Sequence, residues 1–247
     1  MKIEQVFRKS IIDSYNVDVK KNATAAGVIR ELQEAAYYQM KTQRPSYDHL
    51  LSEGKALMIS RMDLEIIEPI RLDDEITTSS WPCPSTRSTF LRCYGLWKDG
   101  KLMAKASSQW ALVEVSTRRI LKVTDVDFSQ YYIGPYEELY PKKLKFSQEE
   151  EAAMEVVGGK GVRYSDIDYN GHMNNTYYID MLCDYIPELS AATHRVHKVR
   201  IHFSKEAPLG DAITIKRACP EAGKYIFQTI KASGEINIQA EIDLVQN

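Results

Sequence analysis

The feature that most constrains this chain is an order of elements that occurs twice. Residues 24–41, TAAGVIRELQEAAYYQMK, place Ala25, Val28, Ile29, Leu32, Ala35 and Ala36 at helical spacing, so one apolar stripe runs along a helix of about five turns. Four strand-like segments follow at 58–70, 74–82, 90–97 and 102–115, the last two joined through the Asp99-Gly100 turn signal. The second half repeats the order. A helix at 174–186, stopped by Pro187, precedes strands at 197–207, 211–220, 224–232 and 235–246. The halves also align by residue: Leu72-Asp73-Asp74-Glu75-Ile76-Thr77 lies over Leu209-Gly210-Asp211-Ala212-Ile213-Thr214, with Pro82 close to Pro220.

A helix with one apolar face, followed by long antiparallel strands, buries that face when the sheet wraps around it, the hot-dog arrangement. Two copies predict an α+β tandem hot-dog, a pseudo-dimer within one chain. Residues 125–160 carry Pro135, Pro141, the acidic run Glu149-Glu150-Glu151 and Gly158-Gly159, the turn and charge content of a connector. The boundary is placed near residue 150: an N-terminal lobe with linker over 1–149 and a C-terminal lobe over 150–247.

Composition narrows the function. Of 247 residues, 44% are hydrophobic and 27% charged, an ordinary globular balance, and the net charge of -2 argues against nucleic-acid binding, which needs a basic surface. No stretch approaches the roughly 20 apolar residues of a membrane span, and the start lacks a signal-peptide core, so a cytoplasmic location is expected. Cys83, Cys93, Cys183 and Cys219 lack the spacing of a zinc or redox site and read as buried free thiols. Basic clusters at Lys20-Lys21, Arg118-Arg119-Lys122, Lys142-Lys143-Lys145 and 195–200 read mostly as solvated faces.

Chemistry concentrates in Ser165-Asp166-Ile167-Asp168-Tyr169-Asn170-Gly171-His172-Met173-Asn174-Asn175, which sets a carboxylate, an amide and an imidazole just before a helix. Asn174 or Asn175 suits the N-cap, and the free N–H groups of a first helical turn favour a developing oxyanion. Hydrolysis by water requires a base, donors to the carbonyl oxygen and a group that orients the base, and these side-chain types cover the roles. The blander reading is a helix cap, an Asn-Gly turn and a structural histidine.

The D-x-N-x-H-x-N-N pattern of Asp168, Asn170, His172, Asn174 and Asn175 resembles the catalytic segment of the acyl-ACP thioesterase family, and the likeness in element order covers most of the chain. That resemblance implies a further catalytic glutamate on a strand after the helix, matched by Glu206. The cysteine that usually follows is Ala207 here, so no thiol nucleophile is implied at that position. The resemblance further implies that Glu206 activates water or attacks the carbonyl, that His172 and Asn170 position water and substrate, that Asp168 orients the loop, and that Asn174 and Asn175 bind substrate. No cofactor or metal is implied, and the partner is acyl carrier protein. Which of Glu206 and His172 is the base stays open, because coupled groups exchange that role.

Registering Tyr15 on Tyr164 sets Val19, Lys21 and Ala23 opposite Asp168, Asn170 and His172, and the strand register sets Pro69 opposite Glu206, so the first lobe is read as non-catalytic and as shaping the acyl pocket. One-residue gaps would bring Asp18 under Asp168. Three rivals fare worse: there is no G-x-S-x-G elbow, Met154 stands where a phosphate loop needs its first glycine, and His194, His197 and His202, read as a partly exposed edge, match no metal spacing. An acyl-CoA thioesterase on the same fold and a non-catalytic acyl-binding module remain as alternatives. A homodimer through sheet edges is compatible with either.

Overall fold

The computed structural model describes residues 4–137, 139 and 143–247; Pro141 and Lys142, named above in the connector and a basic cluster, lie outside them. The strands are β1 (Phe7–Ile11), β2 (Lys55–Ile66), β3 (Glu75–Pro82), β4 (Phe90–Lys98), β5 (Lys101–Glu114), β6 (Glu155–Gly161), β7 (His194–Phe203), β8 (Ala212–Glu221), β9 (Lys224–Lys231) and β10 (Ile236–Gln246). The helices are α1 (Ala25–Thr42), α2 (Tyr47–Ser52), α3 (Gln148–Ala152), α4 (Asn175–Cys183) and α5 (Pro187–Ser190).

The strands form one ten-stranded antiparallel sheet in the order β1-β3-β4-β5-β2-β7-β10-β9-β8-β6, whose two halves repeat the same connectivity in opposite directions from the β2–β7 seam. The tandem hot-dog therefore holds, with the two sheets fused edge to edge. At the seam Arg61 pairs with His202 and Asp63 with Arg200, and the buried Asp63 carboxylate takes Arg61 Nε at 2.7 Å and Arg200 Nε at 3.7 Å.

All six apolar positions read for α1 are buried, and Thr24 caps the helix by accepting from Gly27 N. The buried Glu31 on this helix receives Arg8 Nη1 at 2.7 Å and Ser10 Oγ at 2.8 Å, which offsets the cost of removing a carboxylate from water. Its residues Ile29 and Leu32 share a continuous core with Ile179 and Leu182 of α4, Tyr94 and Leu96 of β4, and Phe227 of β9. The Asp99-Gly100 hairpin forms with both residues at positive φ, 49° and 78°, the geometry that matches strand twist.

Several expectations are corrected. The second helix ends at Cys183 rather than running to Pro187, which instead begins α5 at a position where its missing N–H costs nothing. Gly158-Gly159, read as connector, belongs to the edge strand β6; a methyl group on Gly158 would collide with the Tyr185 ring, so the glycine that weakens the strand signal is what admits the strand. The first strand, β1, carries no distinctive strand signal in its sequence. The histidines His194, His197 and His202 stand on β7, a central strand rather than an edge. Cys83 and Cys93 are buried, but Cys183 is half-buried and Cys219 is exposed where β8 breaks register with β9.

Candidate active site

The loop before α4 is folded by its own polar groups. Ile167 bridges Met173, Asp168 N donates to His172 O at 3.1 Å, and Gly171, at φ 86°, supplies the left-handed turn that lets the chain reverse. Asp168 Oδ1 accepts Asn170 N at 2.8 Å, an Asx turn that sets the amide's direction. Asn174 caps α4, its Oδ1 accepting Thr176 N at 2.9 Å and Thr176 Oγ1 at 2.8 Å, while its backbone N–H bonds Asp166 O. The predicted cap is thus Asn174, and its carbonyl oxygen is committed to the helix.

Glu206 lies past the end of β7, not on a strand as expected, and two backbone ties bring it to the loop. His172 bridges Pro208, and Met173 N donates to Ala207 O at 2.9 Å. Lys231 Nζ donates to Glu206 O at 2.8 Å, and the buried Asn237 donates to Lys205 O and to Tyr178 Oη. These contacts leave the side chain to face inward. Glu206 Oε1 is sealed from solvent 3.3 Å from His172 Nε2, and Oε2 stands 3.3 Å from an Arg118 guanidinium nitrogen. With side chains 18% and 33% exposed, His172 and Glu206 are sheltered yet reachable.

Asp168, Asn170, His172, Asn175 and Glu206 line one cavity of about 310 Å³, walled by Leu57, Ile59, Trp110 and Phe203. A second cavity of about 270 Å³ shares Leu57, Trp110, Asp168, Asn170 and Asn175 with it, and extends between Met40, Phe90 and Arg92 of the first half. Asn174 faces this second space and not the first. The arrangement offers a carboxylate and imidazole in contact, an amide beside them and an adjoining cavity of mixed polar and apolar lining. Among the described residues no cysteine lines either cavity and no group of three potential ligands could hold a metal ion.

The repeat sharpens the comparison of halves. Val17 bridges Ala23 as Ile167 bridges Met173, and Asn22 bridges Arg71 as His172 bridges Pro208. Asp18 therefore matches Asp168, Lys20 matches Asn170, Asn22 matches His172 and Pro69 matches Glu206. This corrects the Tyr15 register by one residue: the first half keeps the carboxylate, whose Oδ1 accepts Lys20 N and Asn22 N, and lacks the imidazole and the glutamate.

Known proteins agree with this architecture along the whole chain. The family model for the acyl-ACP thioesterase N-terminal domain matches residues 4–132, and that for the C-terminal domain matches residues 149–246. The chain belongs to the acyl-ACP thioesterase family. Among relatives of this family member, oleoyl-acyl carrier protein thioesterase 2 of Arabidopsis thaliana is 28% identical over 83% of this chain and 60% of its own length. The dodecanoyl-[acyl-carrier-protein] hydrolase of Cinnamomum camphora is 25% identical over 93% of this chain and 64% of its own. The chain thus spans about three fifths of the length of these relatives, both of which are chloroplastic. An acyl-ACP thioesterase from Bacteroides thetaiotaomicron has the same fold, with a TM-score of 0.86 at 19% identity over 97% of each chain. The 12:0-ACP thioesterase from Umbellularia californica superimposes at a TM-score of 0.83 with 15% identity, covering 98% and 97%.

In this thioesterase-family chain, the first half supplies site residues that the motif does not reveal. Tyr47 of α2 donates to Asn170 Oδ1 at 2.7 Å and meets Tyr169 edge to face, and burial, then the neighbouring Tyr169 hydroxyl and the Asp168 charge, hold the Tyr47 hydroxyl well above its ordinary pKa. Arg118, at φ 58° in the turn after β5, belongs to a cluster read as a solvated face, yet it pairs with Glu206. No spacing in the sequence links either residue to the motif.

Proposed function

We propose that the protein hydrolyses fatty acyl-ACP thioesters to free fatty acid and holo-ACP in its C-terminal half. The observation that carries this reading is the sheltered contact of Glu206 with His172, 3.3 Å apart in the wall of the first cavity beside Leu57, Ile59, Trp110 and Phe203. A water held by Glu206, His172 and Asn170 gives a proton to the Glu206–His172 pair as its oxygen bonds to the thioester carbon. The C–S bond then breaks, the carbonyl re-forms, and the departing sulfur takes the proton back as thiol. Asn170, oriented by Asp168 and Tyr47, presents an amide N–H beside the reacting carbonyl, and Asn175 lines the path of the acyl arm.

Residues 1–149 in this scheme form the lobe that receives the acyl chain, and 150–247 the lobe that performs the chemistry. Supporting that division are the second cavity, walled mainly by the first half, and the lack there of counterparts to His172 and Glu206. Acyl carrier protein is the proposed partner, supported by the family and by the carrier printed in the relatives' names. A cytoplasmic location remains part of the proposal; among the described residues no helix is long and apolar enough to cross a membrane.

Thiol release from acyl-ACP and acyl-CoA, read with a thiol reagent, tests the activity. His172→Ala and Glu206→Gln are each expected to lower turnover by roughly 10² to 10⁴ with an unchanged circular dichroism spectrum. Full activity in both variants would remove the assignment, and a preference for CoA would move the carrier to that of the sequence alternative.

A further inference from the structure

Glu206 acts from a segment that no strand holds. It lies beyond the end of β7, and its backbone is tied down by Lys231 Nζ on its own carbonyl oxygen and by Met173 N on the next one. The side chain keeps its torsions, so the direction of the carboxylate rests on what its two oxygens meet. Oε1 is sealed from solvent beside His172 Nε2, at 3.3 Å, and accepts no well-aligned hydrogen bond. Oε2 lies 3.3 Å from Arg118 Nη2. Among the described residues, His172 and Arg118 are the cationic side chains within ion-pairing distance of this carboxylate.

Arg118 belongs to the first half. In the turn after β5, Val113 bridges Ile120, Arg118 N donates to Glu114 O at 2.8 Å and Glu114 N donates to Arg119 O at 2.9 Å. These bonds, with Thr117 Oγ1 on Glu114 Oε2, close the turn without the Arg118 side chain. Its backbone, at φ 58°, is left-handed, a conformation that glycine adopts with less strain. The guanidinium is half exposed, and an exposed pair of this kind adds little to stability. It reaches Met58 Sδ, 3.7 Å from Nη1, and Glu206, and all three residues line the first cavity. Arg119, one residue on, is 70% exposed, pairs with Glu114 and takes no part in that wall. Of two adjacent arginines, one faces solvent and the other is turned onto the carboxylate of the site.

We infer that Arg118 is a positioning residue, whose guanidinium holds Oε2 of Glu206 so that Oε1 stays turned toward His172. The inference deepens the thioesterase reading and rests on it for the chemistry that the held carboxylate performs. A group that takes a proton from water must keep its accepting oxygen in place, since a shift of about 1 Å costs on the order of 10²-fold in rate. Arginine keeps its charge throughout, so the hold on Oε2 persists while Oε1 gains and loses a proton. The reacting groups Asn170, His172 and Glu206 come from the second half, and the alignment of Glu206 comes from the first.

The test compares wild type with Arg118→Gly, Arg118→Lys and Arg119→Ala, on acyl-ACP and on the same acyl chain carried by N-acetylcysteamine, a small uncharged thiol. Arg118→Gly is expected to keep or raise the melting temperature, because glycine suits the turn, while kcat falls about 10- to 100-fold on both thioesters with KM little changed. Arg118→Lys is expected to recover part of kcat, and Arg119→Ala to behave as wild type. A loss confined to acyl-ACP would assign Arg118 to carrier docking and overturn the inference, as would an unchanged kcat in Arg118→Gly. A melting temperature that falls together with kcat, with no recovery by lysine, would mark a purely structural role and overturn it too. Crystal structures of wild type and Arg118→Gly read the position itself without turnover: Glu206 displaced from His172 in the variant supports the inference, and Glu206 unmoved overturns it. If the wild type cleaves neither thioester, the crystal comparison still decides the role of Arg118, and the missing turnover counts against the hydrolase reading alone.

Discussion

His202 shows how one residue's surroundings set its chemistry. It sits on β7 opposite Arg61, and its Nε2 faces Leu144 N. Burial first, then the Arg61, Arg200 and Lys143 charges, lower its pKa from 6.5 to about 4. The unfolded chain therefore binds this proton at a higher pH than the native one, and stability rises with pH across that interval. Stability from this residue is present above the unfolded pKa, falls as the pH drops toward 4, and levels off below it. Urea midpoints between pH 7 and pH 4 in wild type and His202→Gln check this: the variant's curve is expected to be flatter, and identical slopes would contradict the account. The same scale shows what was readable at the site. The D-x-N-x-H spacing was visible because it is local. The Tyr47 and Arg118 contacts were not, because they cross from the first half through space.

At the scale of elements, β6 is the instructive case. Its glycines hide a strand from any reading based on β-propensity, yet Gly158 is needed because the Tyr185 ring occupies the space a side chain would take. Gly158→Ala is expected to cost roughly 1 to 3 kcal/mol, the range for overpacking, and Tyr185→Ala in the same chain is expected to recover part of that loss. Additive losses in thermal unfolding would show that the two positions do not collide. By contrast, α1 was legible from its stripe alone, since 18 residues with a capped start and a buried face leave little alternative. The shorter α4 was overestimated because apolar residues continue past Cys183 in a different local structure.

The molecule as a whole depends on the β2–β7 seam, where antiparallel pairing and the Arg61–Asp63–Arg200 group join the halves. Replacing Asp63 with Ala takes that carboxylate from the buried Arg61 and from the half-buried Arg200, which keeps Glu241, and removal of one partner of a buried ion pair costs about 3 to 5 kcal/mol. Because one core runs across both halves, wild type and Asp63→Ala are each expected to unfold in a single transition, the variant at lower denaturant. Two separated transitions in the wild type would show that the halves are stable independently.

The amino-acid order by itself determined the twofold plan, the helix stripe, most strands and the loop that carries Asp168, Asn170 and His172, because hydrophobic period, turn chemistry and short motifs are local properties of a chain. Only the tertiary structure decided that two sheets fuse into one, that Glu206 leaves its strand to meet His172, and that Arg118 and Tyr47 reach the loop from the other half. Those outcomes depend on packing and on the pairing of strand edges far apart in sequence, and no local pattern records them.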